Sequence, residues 1–295
     1  MMDLINKIIK ENLKLKAKID ISKIDAGFNN QVYNINNLYI VKICSNNKEN
    51  FKKEISFYLN NYHNNFIPQL YYFNIEEVPF YAIIQKVEGL SLYHLWHTFS
   101  ESQREKIIKQ LCQFMKLIHK EVKAPYDWNS YVKQEFQEKY QKVVQSNIFS
   151  SQENRIINAA YNKFDKYFKD EKLFRIHNDL HFDNIIYDGN NIKVIDFERT
   201  ICAPKDFELN IIDQMIKKPW KYASASTEKY TNIDDYKNIA YYIKKYYPEI
   251  VSHPFFKQRL TIYNILYCLR DLVREPNDQK NKKEFMDYIL TIYND

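Results

Sequence analysis

The chain has 295 residues, 43 Lys and Arg against 37 Asp and Glu, a formal net charge of +6, and 45% hydrophobic and 27% charged residues. That is enough chain for about two domains with a sizeable core, in the composition range of a globular enzyme. The basic residues are spread without a dense run, which excludes a nucleic-acid-binding arm, and no apolar run approaches the ~20 residues a membrane span needs. Only 3 Gly stand beside 25 Tyr, a bias read as that of the source genome rather than of function. Cys44, Cys112, Cys202 and Cys268 lie far apart with no CxxC spacing. With no secretory signal at the start, this predicts reduced thiols and a cytoplasmic setting. A monomer or weak dimer is expected.

In chain order, Leu4, Ile5, Ile8, Ile9 and Leu13, broken by Lys7, Lys10 and Glu11, predict an amphipathic first helix. Residues 24–43 read as a strand, a turn at 25–30 and two further strands. Lys42 lies in the last of these and, taken alone, reads as a solvent-facing Lys on an amphipathic strand. Twelve residues on, Glu54 sits in a segment where Ile55, Tyr58 and Leu59 mark a helical face, from which its carboxylate can reach back to Lys42. Glu49 precedes that face and is the poorer partner. Residues 66–73 and 79–87 read as two more strands. From Ser100 the chain turns helical: Ser100 with Gln103 and Ser150 with Glu153 fit capping boxes, and Ile107, Leu111, Met115 and Ile118 form an apolar stripe. Helical periodicity recurs at 131–144, 207–216, 233–246, 256–273 and 284–293, punctuated by prolines. Strands first and helices later is an α+β layout.

The stretch 174–198, FRIHNDLHFDNIIYDGNNIKVIDFE, carries the chemistry. His177 and Asp179 are followed five positions after Asp179 by Asn184, and twelve further on by Asp196. Residues 185–187 and 192–195 read as a hairpin about Asp188-Gly189, which carries Asn184 and Asp196 to one end of the pair. Phosphoryl transfer needs a carboxylate to orient the attacking hydroxyl, here Asp179, and oxygen ligands for magnesium, here Asn184 and Asp196.

The stretch resembles the catalytic centre of the aminoglycoside phosphotransferase and choline kinase superfamily, small-molecule relatives of the protein kinases, with their HxDxxxxN pattern and following metal-binding Asp. The resemblance implies a two-lobed protein-kinase-like fold, with a small antiparallel β-sheet lobe at 1–87 and a larger, mainly helical lobe at 88–295. It implies ATP or GTP and Mg2+ as cofactors, and a small-molecule hydroxyl as acceptor. Lys42, set by Glu54, matches the strand Lys that approaches the nucleotide phosphates, although Gly27 is the lone glycine of the covering loop. Ile84, Gln85 and Val87 match the hinge that meets the base. His177 is expected to brace the loop; Asp206 and Glu208, in APKDFEL, match the segment that carries a supporting acid, and Asp206 is the one expected to support it.

An aminoglycoside-type antibiotic is the leading acceptor, with choline, ethanolamine or a sugar as alternatives. Asp213, Asp271 and Glu275 are candidates for binding ammonium groups, and Trp220, Tyr222, Tyr263 and Tyr267 for a cation–π cage. Solvated helix acids and core tyrosines are the plainer readings of both sets. The non-kinase alternative is a metal-dependent hydrolase in which His177, Asp179, His181 and Asp183 alternate as ligands along an extended run.

Overall fold

The structure, a computed structural model, describes residues 1–13, 15, 19–24, 30–169 and 171–295. The turn expected at 25–30, with Gly27, falls almost wholly on residues outside those described. The strands are β1 (Ile21–Ile24), β2 (Asn30–Ile35), β3 (Tyr39–Cys44), β4 (Leu70–Asn74), β5 (Tyr81–Gln85), β6 (Leu90–Ser91), β7 (Glu121–Val122), β8 (Leu173–Ile176), β9 (Ile185–Tyr187), β10 (Ile192–Val194) and β11 (Ile201–Ala203). The helices are α1 (Met2–Asn12), α2 (Lys48–Asn60), α3 (Leu92–Leu95), α4 (Glu101–Ile118), α5 (Trp128–Val144), α6 (Ser151–Tyr161), α7 (Leu209–Lys217), α8 (Ile239–Tyr246), α9 (Phe256–Arg274) and α10 (Gln279–Tyr293). They divide into two compact units, one of Met1–Phe114, Asp179–Thr200 and Tyr222–Thr231, the other of Met115–Asn178, Ile201–Lys221 and Asn232–Asp295.

In the first unit a five-stranded antiparallel sheet runs in the order β1-β2-β3-β5-β4. Asn36 and Asn37 join β2 to β3 with φ of 52° and 55°, and the Leu38 N–H donates to Ile35 O at 3.0 Å. Asn accepts left-handed backbone better than other side chains do, which suits this tight turn. The register that follows pairs Val32 with Lys42 and Lys42 with Ala82. Because strand side chains alternate, Val41 and Ile43 join Ile5, Ile8 and Ile9 of α1 in one apolar cluster while Lys42 faces the other way. Each such apolar side chain contributes roughly 1.5–3 kcal/mol on burial. On α2, Asn47 caps the first turn by accepting the Asn50 N–H at 2.9 Å. Phe57 of α2 stacks on Phe197 at 4.2 Å, and Tyr58 meets the same ring edge-on at 5.1 Å.

A second sheet of this unit, β10-β9-β6, holds the expected hairpin. Its loop is four residues long, with Asp188 Oδ1 accepting the N–H groups of Asn190 and Asn191 at 2.8 Å each. Gly89, entering β6 at φ +108°, passes so close to Tyr187 that an added Cβ would stand 2.2 Å from its carbonyl oxygen.

The second unit pairs the short sheet β11-β8-β7 with α5, α6 and the late helices. α9 lies at its centre, packed on α5 and α10, and Trp128, Phe136, Phe164 and Tyr263 are among the large side chains fully buried there. Both expected capping boxes form: Ser150 with Glu153, and Ser100 with Gln103. Several boundaries differ from expectation for local reasons. β4 starts at Leu70 because Pro68 cannot donate to a ladder. The periodic stretch 233–246 splits into a 3-10 turn, Ile233–Tyr236, and α8. α10 begins at Gln279, where Asp278 accepts two N–H groups of the first turn. Among the described residues no helix is long and apolar enough to cross a membrane.

Candidate active site

Lys42 reaches out of β3 to the carboxylates of Glu54 on α2, at 2.7 Å, and Glu198, at 2.8 Å, with Asp196 at 3.5 Å. The stacking of Phe57 on Phe197 fixes this arrangement, since Phe197 lies between the two acids. Glu54 is 2% exposed and the Lys42 side chain 12%, so the pair is poorly screened by water. Burial works against the Lys42 ammonium, but the three carboxylates outweigh it and hold the amine protonated. Asp196 adopts φ +64°, left-handed backbone that costs a non-glycine residue about 1 kcal/mol or more.

Asn184 and Asp196 come to one end of the β9–β10 hairpin: Ile185 pairs with Val194, and the Ile195 N–H donates to Asn184 O at 3.0 Å. The Asn184 side chain donates to Asp179 O at 2.9 Å, which ties the loop to the hairpin. The Asp179 carboxylate lies 3.8 Å from Arg199 Nη1 and 3.8 Å from His181 Nε2, and its side chain is 17% exposed. Glu54, Asp196 and Glu198 each offer an oxygen within 4.8 Å of the others, a donor set that suits a hard divalent cation. No residue of the alternating run 177–183 belongs to this set, the single such group among the described residues.

In the second unit, the loop after β8 is held by Glu208. Its carboxylate accepts the His177 N–H at 2.7 Å and the Asn178 N–H at 2.8 Å, and lies 3.3 Å from His119 Nε2, whose other nitrogen meets Tyr247 Oη at 3.0 Å. Burial pushes the Glu208 carboxyl up, but these hydrogen bonds outweigh it and hold it below the usual carboxylate range. The support expected of Asp206 therefore comes from Glu208, two residues on. Asp206 instead pairs with Arg259 at 2.7 Å, and Arg259 also meets Glu171 at 2.6 Å.

The model of the phosphotransferase enzyme family matches residues 20–212, more than half of the chain. The chain belongs to the phosphotransferase enzyme family. It is a phosphotransferase in the sense of that family. No curated protein matches this phosphotransferase. Among solved structures it is similar to the ADP-bound aminoglycoside phosphotransferase APH(2'')-Ib, with 16% identity, 98% of this chain and 97% of that one covered, and a TM-score of 0.69. It is also similar to APH(2")-IIa in its ternary complex with streptomycin and ATP (15%, 99% and 96%, 0.69) and to choline kinase from Cryptosporidium parvum Iowa II (15%, 100% and 94%, 0.57). At these identities the likeness is one of fold: the phosphotransferase has the kinase-like α+β architecture.

Of the hinge candidates in the phosphotransferase, Ile84 is buried and the Gln85 N–H donates to Gln69 O at 2.7 Å, while Val87 is half-buried beyond the end of β5. The acceptor candidates have partners from the chain itself: Asp213 pairs with Lys217 at 2.7 Å, Asp271 with Lys221, and the Tyr267 ring lies under Lys221 and Arg270. Trp220 is 41% exposed, and Glu275 is exposed. Sequence reasoning missed Glu198 as a site residue, and of the two acids in APKDFEL it chose Asp206 over Glu208. The sequence carries no periodic signal for Glu198, because β10 ends at Val194 and Asp196 turns the chain through left-handed backbone before it.

Proposed function

We propose that this phosphotransferase moves the γ-phosphate of ATP or GTP to a hydroxyl of a small molecule. The observation that carries the reading is the Lys42 ammonium, desolvated and fixed between Glu54 and Glu198 beside Asp196, where it can meet nucleotide phosphates. Lys42 binds and orients those phosphates. Asp196 and Glu198, with Asn184 at the same hairpin end, would hold Mg2+, which when bound neutralises phosphate charge. Asp179 orients the acceptor hydroxyl and takes its proton, with Arg199 and His181 setting the carboxylate. His177 and Asn178, fixed by Glu208, keep the loop in place. Such catalysis consists of positioning and charge neutralisation.

Relatives solved with streptomycin, gentamicin and hygromycin B make an aminoglycoside the first acceptor to try, with choline, ethanolamine and sugars beside it. The test is transfer of labelled phosphate from ATP-Mg and GTP-Mg across that panel, with Asp179→Asn as the blank. Turnover on one acceptor that vanishes in the variant is expected. Turnover that survives in the variant would remove Asp179 from the reaction.

A further inference from the structure

The Lys42 ammonium carries three N–H donors, and three carboxylates of the first unit surround it: Glu54 Oε2 at 2.7 Å, Glu198 Oε1 at 2.8 Å and Asp196 Oδ1 at 3.5 Å. A phosphate that approaches Lys42 must take the place of one of these acids. As an anion it is also repelled by all three.

The acids differ in how readily they can leave. The Glu54 side chain is 2% exposed, and turning its carboxylate away from Lys42 would leave a buried charge without a partner. Asp196 is 43% exposed and makes the longest contact, so it holds Lys42 least. Glu198 is the acid that blocks the ammonium. Its side chain is 10% exposed, and the oxygen that faces Lys42 also accepts the side-chain amide of Asn30, at the start of β2. Asn30 pairs with Cys44, two residues beyond Lys42 on β3, so the sheet that carries Lys42 also carries the amide that keeps Glu198 on it.

A divalent cation changes this balance. Glu54, Asp196 and Glu198 offer oxygens within 4.8 Å of one another, and hard cations take carboxylate oxygens. Drawing Asp196 and Glu198 towards an ion returns two donors of Lys42 to the phosphates and offsets the charge that repels them, while Glu54 keeps the ammonium in place.

Resting on the phosphotransferase reading, we propose that Glu198 is a guard on Lys42: it occupies the ammonium until a divalent cation draws it off, so that metal-free nucleotide is refused and cation and nucleotide bind with positive coupling. Linkage makes the coupling reciprocal, so nucleotide raises cation affinity by the same factor.

Equilibrium binding of a fluorescent ATP analogue to the full chain, in EDTA and in excess Mg2+, tests this. The unaltered protein should bind the analogue weakly in EDTA and much more tightly with Mg2+. Glu198→Gln should bind it about tenfold more tightly than the unaltered protein in EDTA and gain less from Mg2+. Asp196→Asn removes the same charge from the more exposed and more distant acid, and its gain in EDTA should be clearly smaller. That comparison separates the release of Lys42 from a general loss of negative charge. Asn30→Ala keeps every charge and should give about a threefold gain in EDTA, which decides the matter if Glu198→Gln fails to fold. Metal-independent binding by the unaltered protein would overturn the proposal, as would a Glu198→Gln gain no larger than that of Asp196→Asn. No binding of the analogue in either condition would defeat the phosphotransferase reading itself, a result distinct from tight binding that ignores the metal.

Discussion

Lys42 Nζ stands 2.7 Å from Glu54 Oε2 and 2.8 Å from Glu198 Oε1, so one nearly buried ammonium serves two nearly buried carboxylates. Removing it strands both acids. Lys42→Met is expected to cost about 3–5 kcal/mol in urea unfolding, the range for breaking a buried pair from one side. Adding Glu54→Gln should restore part of that loss, and the non-additivity of the cycle measures the pair. A purely additive cycle would mean that the two side chains do not interact in solution.

Asp179→Asn should lower phosphotransfer by on the order of a hundredfold or more while leaving nucleotide affinity close to unchanged, because the amide keeps the shape and loses the base. Asp196→Ala should instead abolish the dependence of rate on magnesium concentration. Separate kcat and KM values for nucleotide and acceptor distinguish the two.

Glu208 links the loop to pH. Its folded carboxyl is held below the ordinary glutamate value of 4.5, so its contribution to stability is complete above that value and is lost as pH falls through the depressed folded one. Acid titration of the urea midpoint should therefore steepen below about pH 4.5 in the unaltered protein. Glu208→Gln should be less stable at neutral pH and show a flatter acid limb. An unchanged limb would place the titration elsewhere.

Gly89 and Gly189 both have positive φ, at 108° and 104°, yet differ in surroundings. Gly189→Ala meets no atom within 4 Å and should cost only the backbone strain, about 1 kcal/mol. Gly89→Ala drives a methyl into the Tyr187 carbonyl and must displace backbone, for about 3 kcal/mol or more. Thermal melts of the two variants should separate clearly, and equal shifts would show that the β6–β9 approach relaxes freely.

Much of the site can be read in the sequence because its determinants are local. Asn184, Asp188, Gly189 and Asp196 define one hairpin, and Lys42 and Glu54 are a strand and a helix face within twelve residues. What escapes is orientation. Asp206 and Glu208 share one 3-10 turn, Lys205–Glu208, and nothing in their spacing says which faces the loop and which faces Arg259 more than fifty residues away. Asp213 and Lys217 are an i,i+4 pair visible in the sequence, whereas Lys221 with Asp271 depends on how α9 packs. The tight Asn36–Asn37 turn is likewise local, but the four-residue loop at Asp188 is set by side-chain bonds to Asn190 and Asn191 that a simple turn reading passes over.

The Glu208 hydrogen bonds to His177 and Asn178 also bear on the order in which the protein becomes competent during synthesis. A nascent chain that has left the ribosome as far as residue 200 already holds every residue from His177 to Asp196, yet the two loop amides still lack their acceptor. At roughly 5–20 residues per second that interval is short, but the turn bearing Glu208 is itself clamped through Asp206 by Arg259, which arrives later still. A polypeptide ending before residue 208 would carry every residue from His177 to Asp196 without the carboxylate that accepts the two loop amides.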